Sequence, residues 1–205
     1  MELGLFLRGL LIGFSIAAPV GPIGILCIRR TLADGRLAGL LSGLGAATAD
    51  ALYGCVAGFG LTAVSSFLVD QRAWIQLLGG VFLLLLAAKT LKARPAENPA
   101  AASGSGLAAS YASTFFLTLT NPMTILAFAG IFAALGVVNT GGDFSAAALL
   151  VLGVFLGSAA WWLILSGGVG LVREKLNPAI LRWVNRVSGV ILVVFGIAAV
   201  WQTVG

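Results

Sequence analysis

Asp50 is the one acidic side chain that lies well inside an apolar stretch of this sequence, between Leu37 and Val69. If that stretch crosses a membrane, a carboxylate at such depth is costly and is a candidate for function. A buried carboxyl is readily neutralised, so Asp50 could take up and release a proton during a transport cycle. The alternative is a protonated carboxyl in a structural hydrogen bond, with Tyr53 or Thr48 as its partner.

Proline and glycine interrupt two other apolar stretches, in "PVGP" (19–22) and in "TLTNPMT" (118–124). Each proline removes a backbone donor and clashes with the carbonyl four residues earlier, and freed backbone groups at membrane depth must be satisfied by protein or a watery cavity. An amino acid could bridge the two breaks with its carboxylate and ammonium; two packing kinks are the alternative. The substrate-binding residues predicted there are Pro19, Gly21, Pro22, Thr120, Asn121, Pro122 and Thr124.

Two adjacent tryptophans, Trp161 and Trp162, follow Ala160, which takes the place of Asp50 when the second half of the chain is shifted by 110 residues. Indole faces attract ammonium groups, so the tryptophans and Asp50 could hold an amine together. A packing role for both indoles is the alternative. Tyr53, Trp161 and Trp162 complete the predicted substrate-binding set, with Asp50 also as the proton-coupling residue.

The sequence lacks residues that several kinds of catalysis and metal binding usually require. The sequence has no histidine, and its two cysteines, Cys27 and Cys55, lie in apolar segments without a CxxC motif. The commonest general base and the His-based zinc sites are therefore missing, and a cysteine in such a place is most often a small hydrophobe. We expect no enzyme activity, no metal site and no cofactor. The net charge of +5 comes from few residues, placed by topology, so no nucleic-acid partner is expected.

Composition indicates the elements that must position these residues. Hydrophobic residues make up 60% of the chain and charged residues 9%, against about 25% charged in an average soluble domain. Charges divide the chain into apolar stretches that are each long enough for a span of about 20 residues. The sequence thus predicts an all-α membrane protein with six transmembrane helices, three in 1–95 and three in 108–205, joined by a cytoplasmic linker at 96–107.

Basic residues predict the orientation. Ten of the twelve lysines and arginines follow the first, third and fifth helices, and Arg29, Arg30 and Arg36 form the short basic loop "RRTLADGR". Arg8 and Arg72 lie on the other side. Since cytoplasmic loops carry the excess of Lys and Arg, loops one, three and five are expected in the cytoplasm and both termini outside.

The two halves are weakly similar in order. A shift of 100 residues places Pro22 on Pro122, and a shift of 109 places Trp74 on Trp183. Three helices per half is an odd number, so the second copy must be inverted in the membrane. Inverted repeats with broken helices in matching places, here helices one and four, are typical of secondary transporters, and the breaks mark the substrate site.

With these motifs the chain resembles the LysE/RhtB family of amino-acid exporters, nearly from end to end. The likeness includes "PVGP", the basic loop and the "GLLSGLG" that follows it, an Asp within "TADALYG", and an Asn-Pro pair in helix four. The family often has Asn-Pro-Lys there, whereas Met123 follows Pro122 in this chain. The resemblance implies export driven by the proton gradient or the membrane potential, a bacterial inner-membrane location and a homo-oligomer.

These observations predict a secondary transporter that exports amino acids or related small amines from the cytoplasm by alternating access. Its partners are the amino acid and the lipid bilayer. A metal-cation exporter of the manganese or cadmium type is one alternative, although such a site wants several carboxylates or thiolates. A thiol–disulfide conductor is another, although Cys27 is five residues beyond Pro22 and helix four has no cysteine.

Overall fold

A computed structural model of the chain describes residues 2–19, 21–59, 67–68, 70–92, 104–121, 123–128, 144–173 and 178–204. The regular secondary structure of these residues is all α-helical, as predicted. The first half forms α1 (Glu2–Ala17), α2 (Pro22–Asp34), α3 (Arg36–Gly58) and α4 (Arg72–Lys92). The second half forms α5 (Gly104–Leu119), α6 (Phe144–Arg173) and α7 (Pro178–Val204), with residues 123–128 also helical.

Apolar length identifies the membrane spans. Among the described residues, three helices are long and apolar enough to cross a membrane, at 72–92, 144–172 and 179–203. The α1–α2 pair passes the same test as a fourth span, bent by 79°. α5 is apolar but shorter. The chain is therefore a helical membrane protein.

The first predicted break lies between α1 and α2. α1 ends at Ala17, and α2 begins at Pro22 with Gly21 as its N-cap in an extended conformation. Proline suits this first helical position because the amide it lacks has no intrahelical partner there. The break therefore follows directly from the residues of "PVGP".

The second predicted break follows α5. The helix ends at Leu119, and the chain is helical again at 123–128. Pro122 lies outside the described residues. Asn121 caps the new helical stretch, since its Oδ1 accepts a hydrogen bond from the Met123 amide at 3.2 Å. Its Nδ2 donates to Thr124 Oγ1 at 2.9 Å. Asparagine is among the best N-cap residues.

Small residues bring the two halves into close contact. α1 packs against α6 and α5 packs against α3, so the first helix of each half packs against a helix of the other half. Gly13 lies against the backbone of Val154, and Gly157 against the backbone of Leu10, with no room for a Cβ atom at either glycine. Such close backbone approach between membrane helices requires small side chains.

The prediction that Arg29 to Arg36 form a loop is wrong for most of that stretch. α2 continues to Asp34 and α3 begins at Arg36, so Gly35 alone separates the two helices, with a φ of 108°. Nothing in "RRTLAD" breaks a helix, and glycine adopts the left-handed turn at no steric cost. Arg29 and Arg30 are helical and buried, at 8% and 7% exposure.

The linker prediction also needs adjustment at its end. α5 begins at Gly104, inside the segment 96–107 that the sequence assigns to the linker. The alanine and serine residues that follow allow the helix to begin there, because no proline interrupts them. Residues 96–103 lie outside the described part of the chain.

Candidate functional site

A cavity of about 870 Å³ lies between the two halves of the molecule. Both helix breaks border it, and α3, α4, α6 and α7 complete its walls. Eight of the eleven residues predicted to bind substrate line this cavity: Pro19, Gly21, Pro22, Asp50, Thr120, Asn121, Thr124 and Trp162. The fold thus brings residues that are far apart in the sequence, from Pro19 to Trp162, to the wall of one cavity.

The other three predicted residues are placed differently. Tyr53 is absent from the described cavity walls; its hydroxyl donates to the Leu119 carbonyl at 2.7 Å, and its ring stacks on Phe128 with centroids 5.3 Å apart. Trp161 packs edge-on against Phe14 at 5.4 Å and is likewise absent from those walls. Pro122 lies outside the described residues. Tyr53 therefore supports the end of α5, and Trp161 serves helix packing.

Asp50 sits in the cavity wall with only 3% of its surface exposed. Its Oδ2 accepts a hydrogen bond from Ser158 Oγ at 2.7 Å. Ser158 Oγ in turn accepts from the indole Nε1 of Trp162 at 3.1 Å. Within the described part of the chain, Oδ1 has no hydrogen-bond partner, so it is the oxygen available to a bound molecule.

The alternative partners expected for Asp50 are not the ones that it has. Tyr53 donates to a backbone carbonyl, and Thr48 donates to the Leu44 carbonyl while accepting from the Tyr111 hydroxyl. The structural hydrogen bond comes instead from Ser158, across the boundary between the two halves. Asp50 and Trp162, which the sequence proposed as a pair, are linked through this serine.

Sequence reasoning missed Ser158, Gln76 and Gln202. Gln76 of α4 donates from Nε2 to Oε1 of Gln202 on α7 at 2.9 Å, and both residues line the cavity. Each of the three is a polar side chain in an otherwise apolar helix, and Ser158 precedes Trp162 by one helical turn. That polarity was the available signal, because polar groups inside a span need partners.

Charge is sparse in the cavity. Among its described lining residues, the ionisable side chains are Asp50 and Arg72, and Arg72 is exposed at the start of α4. Most of the remaining wall is apolar, for example Leu83, Leu117 and Phe195. A mostly apolar wall with a single carboxylate can accommodate a small molecule that carries a cationic group.

In the described ranges, no cluster of side chains forms a site for metal or thiol chemistry. No group of three or more His, Cys, Asp or Glu side chains there is close enough to hold a metal ion. Cys27 and Cys55 are both free thiols.

The comparison with known families covers nearly the whole chain. The model of the family described as LysE type translocator matches residues 14–203. The chain belongs to this family. It is therefore a membrane transporter, and the resemblance seen in "PVGP" and "TADALYG" is confirmed.

Two relatives extend the comparison. The Bacillus subtilis (strain 168) protein named "Putative amino acid efflux protein YcgF" is 30% identical over 200 residues, which cover 95% of this chain and 94% of that protein. The Escherichia coli (strain K12) protein named "Uncharacterized membrane protein YahN" is 29% identical over 183 residues, covering 86% of this chain and 80% of its own. No solved structure matches the chain.

Proposed function

We propose that this translocator exports amino acids or related small amines from the cytoplasm by alternating access, coupled to the proton gradient. Membership of the LysE family and the efflux function in the name of the Bacillus relative support export of an amino acid. The observation that carries the proposal is the position of Asp50, a buried carboxylate whose Oδ1 is unpartnered in the described structure and whose side chain lines a cavity between two broken helices.

The cavity offers complementary groups for a zwitterion. The substrate ammonium binds Asp50 Oδ1 and lies against the indole of Trp162, which adds a cation–π attraction. The substrate carboxylate binds at the start of α2, where Ile23 and Gly24 line the cavity. The amides of a first helical turn have no intrahelical acceptors, and the helix dipole favours an anion there.

Coupling follows from the use of a single carboxylate. A proton and an ammonium group both neutralise Asp50, and each excludes the other. In the proposed cycle, Asp50 releases the amine outside, takes up a proton there and releases that proton to the cytoplasm. The carrier then exports one amine for each proton that enters. A buried, uncompensated carboxylate is costly in the membrane, so the empty and unprotonated carrier is disfavoured and leakage is limited.

The architecture in the proposal is two inverted three-helix repeats. In such an arrangement α3 and α5 complete six spans with α1–α2, α4, α6 and α7. The helix contacts support it. In the repeat, the α1–α6 contact of one half corresponds to the α5–α3 contact of the other, and the corresponding helices α4 and α7 pack against each other. Trp74 and Trp183, which the repeat aligns, are both exposed.

Sidedness follows from the basic residues. The ends of α2, α4 and α6 face the cytoplasm of a bacterial cell in this proposal, and both termini lie outside the inner membrane. The last turn of α4 carries Lys89 and Lys92, in line with the excess of positive charge on cytoplasmic ends.

Exchange in proteoliposomes tests the proposal. Purified protein is reconstituted with an unlabelled amino acid inside, and entry of the labelled amino acid is followed for each of the twenty in turn. We expect exchange for a subset and a loss of at least about tenfold in Asp50→Asn, whose amide cannot neutralise an ammonium group. Asp70→Asn, an exposed carboxylate outside the cavity walls, is the matched control. Exchange by Asp50→Asn at the wild-type rate would overturn the role of Asp50.

A further inference from the structure

Arg30 joins the two halves of the molecule through neutral oxygens. Its NH1 donates to Ser42 Oγ on α3 at 2.9 Å, and to the Ser110 carbonyl and Thr114 Oγ1 on α5, both at 2.8 Å. Its NH2 donates to Ser113 Oγ at 2.7 Å. Three of the four acceptors belong to α5, so one buried guanidinium from the first half holds the first helix of the second half.

Two further arginines reach the remaining helices of the second half. Arg29 donates from Nε to Asn185 Oδ1 on α7 at 2.8 Å and pairs with Asp34 through NH1 at 2.9 Å. Arg36 NH2 donates to the Gly170 carbonyl on α6 at 3.1 Å. We call Arg29, Arg30 and Arg36 the arginine clasp. Together the three side chains connect α2 and α3 to α5, α6 and α7.

The clasp lies at the end of the molecule opposite to the cavity. Gly189 contacts Leu91 and Gly80 contacts Val200, so α4 and α7 are antiparallel and the end of α4 lies beside the start of α7, near Asn185. The cavity takes its lining from the other ends, residues 72–83 of α4 and 195–202 of α7. The clasp therefore lies at the end of the molecule that also carries Lys89 and Lys92 in the last turn of α4, which we call the basic end, while the cavity extends toward the opposite end.

A tight apolar layer separates the clasp from the cavity. Leu26, Cys27 and Leu117 are almost fully buried in one core cluster, and Leu117 also lines the cavity. Cys27 precedes Arg30 by one helical turn on α2. For a substrate to move from the cavity to the basic end, the residues of this layer must separate. The hydrogen bonds of Arg30 behind the layer must also break.

The chemistry of Arg30 suits a contact that opens and closes. In the described part of the chain, no carboxylate hydrogen-bonds to its guanidinium. Neutral acceptors satisfy the buried donors, whereas a close carboxylate would bind the cation more strongly in a low-dielectric site. When α2 and α5 separate, water replaces the hydroxyl and carbonyl oxygens, so the exchange of partners is nearly balanced.

We propose that the arginine clasp is the gate of the basic end: closed, it seals the cavity from that end, and its release opens the cavity there. This rests on the proposed alternating access. By the proposed sidedness, the structure is then in an outward-facing state, and breaking the hydrogen bonds of Arg30 with α5 is the step that admits substrate from the cytoplasm.

Cys27 provides a reporter that does not depend on transport. The residue is only 2% exposed, so a maleimide reacts with its thiol only when the layer beside the clasp opens. In a Cys55→Ser background, purified protein in detergent is treated with a fluorescent maleimide and labelling is timed. We expect Arg30→Gln to be labelled at least about tenfold faster than its parent, as local opening becomes more frequent. Arg186→Gln, which removes an exposed arginine on α7, is the matched control and should label at the parent rate.

A second variant covers the case in which Arg30→Gln does not fold. The double variant Ser113→Ala, Thr114→Val keeps every charge and removes two of the acceptors on α5, and it should be labelled at an intermediate rate. Labelling at the parent rate in whichever of the two variants elutes as a monodisperse protein overturns the gate. Faster labelling in a protein that exchanges no amino acid supports the gate and counts against the proposed substrate class alone.

Discussion

Asp50 depends on a partner in the other half of the molecule. Its Oδ2 is held by Ser158, and Ser158 is held by Trp162, so the direction in which Oδ1 points is set by a chain of two hydrogen bonds. In the proposed function, a carboxylate fixed in this way presents one oxygen to the substrate ammonium without having to reorganise first. Position, as well as charge, is therefore part of what Asp50 contributes.

We expect Ser158→Ala to lower the exchange rate by about tenfold, because a hydrogen bond to a charged group is worth about 1.5–3 kcal/mol. Ser166→Ala is the matched control: it removes a buried hydroxyl from the same helix, but one that donates to the Trp162 carbonyl and not to Asp50. Exchange is measured in proteoliposomes for both variants. Equal losses in the two would show that Ser158 acts through helix packing and not through Asp50.

At the scale of single elements, Asn121 stabilises the helical stretch that follows the break after α5. Asn121 caps the helical stretch at 123–128 through Oδ1 and binds Thr124 through Nδ2. An uncapped start would let this stretch fray into the cavity that it lines.

We expect Asn121→Ala to lower the free energy of unfolding by ~1 kcal/mol, the usual loss at an N-cap. Asn121→Ser keeps an N-capping oxygen and should recover most of that loss. Thermal unfolding in detergent, followed by tryptophan fluorescence, compares the two variants with the wild type. A serine variant as unstable as the alanine variant would assign the effect to the bond with Thr124.

The contact between α1 and α6 depends on glycine. A Cβ atom at Gly13 would lie closer to the Val154 backbone than folded proteins allow, so Gly13→Ala should destabilise the protein by about 1–3 kcal/mol. Gly167 on α6 has open space around its Cα, and Gly167→Ala should leave stability unchanged or slightly raised. Midpoints of thermal unfolding check both. A harmless Gly13→Ala would mean that the two helices can separate at little cost.

At the scale of the whole molecule, the proposed coupling to protons is tested through the driving force of transport. An acidic bath on the side to which the amino acid is exported should accelerate its efflux from proteoliposomes several-fold, since in the proposed cycle Asp50 takes up a proton on that side. A proton ionophore should remove the acceleration. Efflux that responds to the membrane potential but not to the pH difference would replace the proton with a purely electrical driving force.

The sequence predicts those parts of the molecule that depend on local chemistry. Proline interrupts a helix because it lacks the backbone amide and clashes with the preceding turn, and the α1–α2 break is found at "PVGP". Asp50 stands out because any lone carboxylate in an apolar helix needs a reason. The structure places it in one cavity with Trp162, the residue that the sequence analysis pairs with it.

The remaining features depend on contacts between distant residues. Charge counting predicts a loop at Arg29 and Arg30 because it treats each arginine as solvated, whereas the acceptors that hydrogen-bond to the buried side chains lie on α5 and α7. Ser158 is 108 residues from Asp50, and no spacing within one helix shows which side chain will face it from another. Tyr53 and Trp161 share helices with site residues but point to other neighbours.

The exchange of helices between the halves has a consequence for biosynthesis. α1 leaves the ribosome before α6, yet the glycines on its surface fit α6, which is not made until more than 120 further residues have been joined. Until then the surface of α1 lacks the protein partner for which it is shaped. The first half therefore cannot complete its own folding in the bilayer, and the nascent chain remains unfinished until its last helices are inserted.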